Sequence, residues 1–247
     1  MTVLPIASSS KGNSYVVAQG GHAVLVDCGI ATRNVRRALE SLGLDLKALD
    51  AVLVTHNHVD HVAGLKRLVN AVDVPIYANA MTAEATASQE HFGIDAFVCF
   101  ENGQSFEVGP FEVTPFSVPH DASDPVGYLV RGEQTYFHGT DIGLPLDSVG
   151  MKLAEADLAT LESNHDAVLL RTSGRPPSLK QRIAGPRGHL SNDQACELVR
   201  RFASPRLRRL WLAHLSAECN APQLALAAMQ ETLREMGRAD VVLEVAP

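Results

Sequence analysis

Short apolar runs, interrupted by glycine, proline or polar residues, make up most of the chain and predict strands. Residues 14–18 and 22–26, joined through Gly20-Gly21, have the pattern of a β-hairpin closed by a glycine turn. Further buried-strand runs fall at 51–55, 75–78, 97–100, 111–118, 127–130 and 134–138, then at 158–161, 210–213 and 241–245. Helical periodicity separates them. One helix runs through Val35, Leu39 and Leu42, and another spans 61–72. A third spans 193–203, with Ala195, Leu198, Val199 and Phe202 on one face and Ser191 set three residues before Gln194, a capping-box spacing. The last starts near Pro222 and aligns Leu226, Met229, Leu233 and Met236. Residues 173–192, rich in glycine and proline, read as loop. Mixed strands and helices without repeat, low-complexity tract or linker predict one α/β domain over residues 1–247.

Composition narrows the class. The 247 residues are 46% apolar and 20% charged, enough for a well-buried core and unlike a disordered chain or coiled coil. No apolar run is long enough for a spanning helix, and the first residues lack a basic stretch followed by a long apolar one. Neither membrane insertion nor a signal peptide is therefore expected. Cys28, Cys99, Cys196 and Cys219 are scattered, which supports neither a disulfide framework nor a thiolate zinc site and makes the cytoplasm the simplest location. The net charge of −7 argues at first against nucleic acid. Its distribution changes that picture. Residues 171–209 hold ten Lys and Arg against two acids, Asp193 and Glu197, for +8, which leaves −15 on the remainder.

The densest chemistry is Thr55-His56-Asn57-His58-Val59-Asp60-His61, directly after a strand run and before a helix. His56 and His58, two apart in an extended segment, share a face and can grip one ion. Asp60 and His61 fall at the turn into the helix, placed for a second ion beside it. Four ligand-type side chains in six positions exceed what packing requires. Other such residues close apolar runs: Asp27, His120, Asp141 and His214. Each alone is an ordinary strand-end residue, but their recurrence beside the first motif points to a metal site for Zn, Mn or Fe.

The His-x-His-x-Asp-His motif, followed by isolated His, Asp and His at later strand ends, is similar to the metallo-β-lactamase-fold hydrolase superfamily over nearly the whole chain, Asp27 to His214. Four further stretches agree in order and spacing with its YycJ/WalJ-type branch. They are Ser8-Ser9-Ser10-Lys11-Gly12-Asn13-Ser14, Glu162-Ser163-Asn164-His165-Asp166, Gly188-His189-Leu190-Ser191-Asn192 and Ala213-His214-Leu215-Ser216. That branch resembles ribonuclease Z and the phosphodiesterase of phosphonate breakdown. The resemblance implies a four-layer αβ/βα sandwich with two divalent metal ions. His56, His58 and His120 would hold one, and Asp60, His61 and His214 the other. Asp141 would bridge the two, and Asp27 would support the ligand loop. A metal-bridging hydroxide would be the nucleophile.

The implied activity is that of a phosphodiesterase or nuclease, in this branch a 5′→3′ DNA exonuclease. A glyoxalase II-like thioesterase and a metal-bound regulatory protein without turnover are the alternatives. β-Lactamases proper carry Cys where Asp141 stands, and flavodiiron proteins carry Glu where His58 stands, so neither role is expected. The 73 residues from Asp141 to His214 leave no room for the extra domain of cleavage-factor nucleases.

His189 lies two residues before Ser191, where free helix-start N–H groups would favour an anion. A histidine there can protonate a leaving alkoxide, the role of a similarly placed histidine in ribonuclease Z. Asp60 is expected to assist proton transfer. Arg171, Arg175, Lys180, Arg182 and Arg187 lead toward His189 and are candidates for substrate phosphate. With only Phe202 nearby, no base-stacking platform is evident. Glu162, His165 and Asp166 carry no assigned role. Asn13 and Ser10 read as turn residues or as lining of the site. The expected partner is a phosphodiester, DNA or RNA, with no membrane, and a homo-oligomer is compatible.

Overall fold

The computed structural model describes residues 1–91 and 93–247. The chain forms two compact units, one made of Met1–Ser117, Ala122–Glu133 and Pro247, the other of Val118–Asp121 and Gln134–Ala246.

In the first unit the elements run β1 (Thr2–Ser9), β2 (Gly12–Gln19), β3 (His22–Val26), α1 (Thr32–Ser41), β4 (Leu49–Leu53), α2 (Val59–Val62), α3 (Leu65–Val69), β5 (Ile76–Asn79), α4 (Ala80–Glu90), β6 (Phe97–Phe100), β7 (Phe106–Val108), β8 (Phe111–Ser117) and β9 (Val126–Arg131). β1 to β6 form a sheet in chain order, antiparallel as far as β3 and parallel from β3 onward. Each parallel step needs a crossover, supplied by α1, then α2 with α3, then α4. Register aligns Val16, Leu25, Val52, Ile76 and Phe97 in one row across five strands. Their cluster includes Val35 and Leu39 of α1 and Leu65 and Leu68 of α3, all buried, so the apolar spacing of the sequence becomes one sheet face covered by helices. β7, β8 and β9 form an antiparallel meander.

The β2–β3 hairpin forms as the pattern predicts. Gly20 and Gly21 have φ of 59° and 87°, which a two-residue turn between Gln19 and His22 requires.

Three departures have local causes. β1 carries Pro5, whose missing N–H is tolerated because β1 is an edge strand with a register shift between Pro5 and Ala7. The helix expected over 61–72 is instead α2 and α3, broken at Gly64. A Cβ there would collide with the carbonyl oxygens of Ile30 and, at 2.8 Å, Cys28. α4 is built of Ala, Thr and Ser with no apolar stripe, and starts at Asn79, whose Oδ1 accepts from Thr82 N at 3.0 Å.

Gly29 brings the chain after β3 against the His56–His61 segment, because a Cβ on it would run into the Asp60 carbonyl and, at 2.9 Å, Asn13 N. Gly29→Ala should therefore destabilise the protein by about 1–3 kcal/mol or more, read as a lower urea midpoint. An unchanged midpoint would show that the backbone yields.

In the second unit the order is β10 (Thr135–Gly139), α5 (Asp147–Leu153), β11 (Leu158–Glu162), α6 (Ala167–Thr172), α7 (Pro177–Ile183), α8 (Asn192–Phe202), β12 (Arg209–Ala213), α9 (Pro222–Glu235) and β13 (Val242–Val245). The four strands are parallel and neighbour one another in that order. α7 occupies the stretch expected to be loop. It begins with Pro177 and is held by a small apolar group of Leu170, Leu179, Ile183 and Cys219, too short to leave a periodic signal. α8 starts as its sequence predicts, with the Ser191–Gln194 capping box formed in both directions. Among the described residues no helix is long and apolar enough to cross a membrane.

Candidate functional site

Parallel strands deliver their carboxyl ends to one edge, and the chemistry-bearing residues sit at such ends in both units. In the first unit Asp27 closes β3 and Thr55-His56 follows β4. Asp27 is fully buried and has φ of 57°, a conformation that is uncommon and strained outside glycine. The strain accompanies three hydrogen bonds. Oδ1 of Asp27 accepts from Thr55 N at 2.8 Å, and Oδ2 accepts from Thr55 Oγ1 at 2.8 Å and His61 Nδ1 at 2.7 Å. Thr55 Oγ1, having donated to Asp27, accepts from His56 Nδ1 at 3.0 Å. One carboxylate thus sets the tautomer of two imidazoles, with Nδ1 carrying the proton and Nε2 the lone pair. The His56 ring centroid lies 4.6 Å from that of His58 and 4.1 Å from that of His61, and Asp60 Oδ2 is 3.6 Å from His61 Nε2. Asn13, fully buried, reaches the same place: its Nδ2 is 3.1 Å from Asp60 Oδ2 and 3.0 Å from His61 Nε2.

In the second unit the organising residue is Glu162, the last of β11 and fully buried. Its Oε1 accepts from His189 Nδ1 at 2.8 Å and His214 Nδ1 at 3.1 Å, and its Oε2 accepts from the Ile142 and Leu190 amides at 2.8 and 3.0 Å. Asp141 and His214 follow β10 and β12, with φ of 57° and 56°. Ligand-type atoms of Asp141, Glu162, His189 and His214 lie within 4.8 Å of one another. Oδ1 of Asp141 is 3.5 Å from both His120 Nε2 and His214 Nδ1. His120 donates through Nδ1 to Gly188 O at 2.9 Å. Asn164 Nδ2 donates to His214 O at 2.7 Å, which holds the strained His214 backbone.

The charges in this unit answer one another. Burial alone would push the Glu162 carboxyl up, but the His189 imidazolium beside it, with the hydrogen bonds from both histidines, brings it down to about 2. Burial alone would pull His189 down, but the Glu162 and Asp141 carboxylates outweigh it and leave His189 above its ordinary 6.5. His189 keeps 21% of its side chain exposed, so the ring has an open edge while Glu162 holds Nδ1.

The residues present suit divalent cations. His56, His61, His120 and His214 each commit Nδ1 to a partner within their own unit, which leaves Nε2 as the ligand atom. Imidazole and carboxylate donors together suit Zn, Mn or Fe. Cys28, next to Asp27, is not part of this set, because burial and then the Asp27 charge push its thiol up to about 12 and keep it protonated.

Two groups of expected anion donors have other partners. At the start of α8, Ser191 N donates to Gln194 Oε1, Asn192 N to His165 O and Gln194 N to Ser191 Oγ. Several of the basic residues are committed as well. Arg182 is paired with Asp121 at 2.5 Å and Arg175 with Glu218 at 3.0 Å, while Lys180 Nζ donates to Arg171 O at 2.8 Å. Arg187 is exposed and joins no ion pair among the described residues. Its backbone packs on Gly143, where a Cβ would meet Arg187 Cα at 2.7 Å, close along the chain to Asp141. Asp166 caps α6 through the Val168 and Leu169 amides, and His165 is buried beside Glu162. Glu162 is the residue whose role the sequence left open. Its signal was its place at a strand end, the position shared by Asp27, Asp141 and His214.

Comparison with known proteins bears on this arrangement. A beta-lactamase superfamily domain matches residues 22–215. The chain is 32% identical over 234 residues to exodeoxyribonuclease WalJ of Streptococcus pneumoniae, covering 93% of this chain and 87% of that protein. It is 32% identical over 237 residues to exodeoxyribonuclease YycJ of Bacillus anthracis, covering 94% and 89%. Among solved structures, the metallo-beta-lactamase fold protein YhfI from Bacillus subtilis matches with a TM-score of 0.73 at 19% identity, covering 99% of this chain and 95% of that one, a likeness that shows the fold.

Proposed function

The chain belongs to the beta-lactamase superfamily, and from this premise we propose that it is a metal-dependent phosphodiesterase that cleaves nucleic acid. The observation that carries the reading is Glu162, whose single buried oxygen fixes both a candidate metal ligand, His214, and a candidate acid, His189. Two relatives named as exodeoxyribonucleases favour DNA, attacked from an end, as substrate.

By the family pattern, His56, His58 and His120 would hold one divalent ion, Zn, Mn or Fe, and Asp60, His61 and His214 a second, with Asp141 a candidate ligand for either. The family pattern and the Nδ1 commitments support that assignment. When bound, such ions polarise a phosphoryl oxygen and bring the pKa of water toward neutrality. The side chains do the rest. Asp27 and Thr55 hold the His56 and His61 rings in one tautomer. Asp60 takes the proton that the attacking water gives up. As the P–O bond to the leaving group breaks, His189 gives the Nε2 proton to the departing alkoxide, and its Nδ1–H remains on Glu162. Arg187, with Arg171 and Lys180, receives flanking phosphates, while Arg175 and Arg182 serve mainly as internal ties. Residues 1–247 then act as a single domain, and four free cysteines suit a cytoplasmic location.

With Mn²⁺ or Zn²⁺ the purified protein should hydrolyse an activated phosphodiester and single-stranded DNA, stop with a chelator, and leave a glutathione thioester intact. Thioester turnover without phosphodiester turnover would replace this reading with the glyoxalase II-like one. The acid must be protonated to act, and the Glu162 carboxylate keeps His189 above 6.5. The alkaline limb of kcat/KM should accordingly lie above pH 6.5 and move to lower pH in Glu162→Gln. A limb that does not respond to Glu162 would remove His189 from the acid role.

A further inference from the structure

Asn13 is the second residue of β2, far in sequence from the His56–His61 motif, yet its amide ends inside that motif. Its Nδ2 is 3.0 Å from Ser9 O, 3.1 Å from Asp60 Oδ2 and 3.0 Å from His61 Nε2. The surrounding atoms fix which end of the amide is which. Ser9 O and the Asp60 carboxylate only accept and take the two amide hydrogens, while His61 Nε2 beside them carries the lone pair that a cation would use, because Nδ1 gives its proton to Asp27. A reversed amide would set an oxygen against three acceptors. Its other end, Oδ1, is buried and accepts no hydrogen bond among the described residues. A residue kept only to close a turn would use the Ser9 bond and need nothing from Asp60. Close backbone packing makes the placement rigid: Gly29 N donates to Asn13 O at 2.9 Å, and a Cβ on Gly12 would meet Ile30 Cγ2 at 2.8 Å and Gly29 O at 2.9 Å.

We propose that Asn13 is a positioning residue for the Asp60–His61 metal site, its amide holding the Asp60 carboxylate in the orientation that binds a divalent cation. Asp60 stands in the four-residue helix α2 with 23% of its side chain exposed, and the donor on Oδ2 restricts the rotation of its carboxylate. Partners one step removed from a metal set ligand orientation, and their loss weakens binding by about 10–100-fold. The inference rests on the reading that Asp60 and His61 hold a metal ion.

The test uses metal binding rather than turnover. Asn13→Leu keeps the volume and cannot donate; Asn13→Ser is the smaller variant and decides on the same terms if the first does not fold. Wild type and variants are titrated with Co²⁺ and Zn²⁺ against a competing chelator, and the visible spectrum of the Co²⁺ forms is recorded. The expected result is about 10–100-fold weaker binding of one ion and a changed Co²⁺ spectrum. Both effects should disappear when the same substitution is made in an Asp60→Ala background, because Asn13 acts through that carboxylate. Wild-type affinity and spectrum in the folded variants would overturn the proposal, as would an equal loss in the Asp60→Ala background, which marks a structural role. If the wild-type protein itself binds no divalent ion, the metal reading fails instead, so the two failures are distinct.

Discussion

Glu162→Gln should lower kcat by about 10²–10⁴-fold, the span of a lost general acid. Four donors converge on the two carboxylate oxygens: the Nδ1–H groups of His189 and His214 and the backbone amides of Ile142 and Leu190. A glutamine has one acceptor oxygen and an NH₂ group that only donates, so either the two rings or the two amides must face a donor. If the rings yield, they exchange tautomers, and Nε2 of His214 becomes an N–H that cannot bind metal. If the amides yield, buried N–H groups are stranded at a cost of about 1–3 kcal/mol. The pH dependence separates this from a general loss of folding. With the carboxyl held at about 2 against an ordinary 4.5, its contribution to stability is present above the ordinary value and is lost as pH falls toward 2. The stability deficit of the variant should therefore be largest near neutrality and shrink through the acid range. Kinetics and urea melts at several pH values check both parts, and a variant within a few-fold of wild-type kcat would defeat the assignment.

Asp27→Ala should be the most damaging change in the first unit. It strands Thr55 N, Thr55 Oγ1 and His61 Nδ1 in a fully buried place and leaves a strained alanine at φ of 57°. Removing one partner from such a buried arrangement costs about 3–5 kcal/mol. Asn tolerates this backbone conformation, so Asp27→Asn isolates the hydrogen bonds from the strain. Its amide satisfies Thr55 but sets an N–H against a donor elsewhere, so stability should recover in part while metal affinity stays reduced by about 10–100-fold. Denaturation and metal titration of the pair would show this ordering. Equal metal affinity in Asp27→Asn and wild type would mean that the His56 and His61 rings do not depend on Asp27.

Features carried by neighbouring residues could be read without coordinates. The His56–His61 cluster is contiguous, the Gly20-Gly21 turn is a two-residue signal, and the Ser191–Gln194 capping box is set by a spacing of three. The apolar periodicities of α1, α8 and α9 likewise report directly on one buried face. α4 and α7 were not visible, because one has no stripe and the other is shorter than two helical repeats. β1 was hidden by Pro5, which only an edge position excuses.

The partnerships within each unit belong to another level. Asp27 and His61 are 34 residues apart, Asn13 and Asp60 47, Glu162 and His189 27, and Glu162 and His214 52. Glu162 meets His214 because parallel pairing sets Glu162 opposite Ala213, and a shift of either strand by one residue would turn its side chain to the other face. Residue types and local spacing thus decided that this chain is an α/β protein with ligand-type side chains at its strand ends. Sheet register and close backbone packing decided which carboxylate holds which imidazole, because a hydrogen bond between distant residues depends on ångström-scale placement that leaves no trace in local sequence.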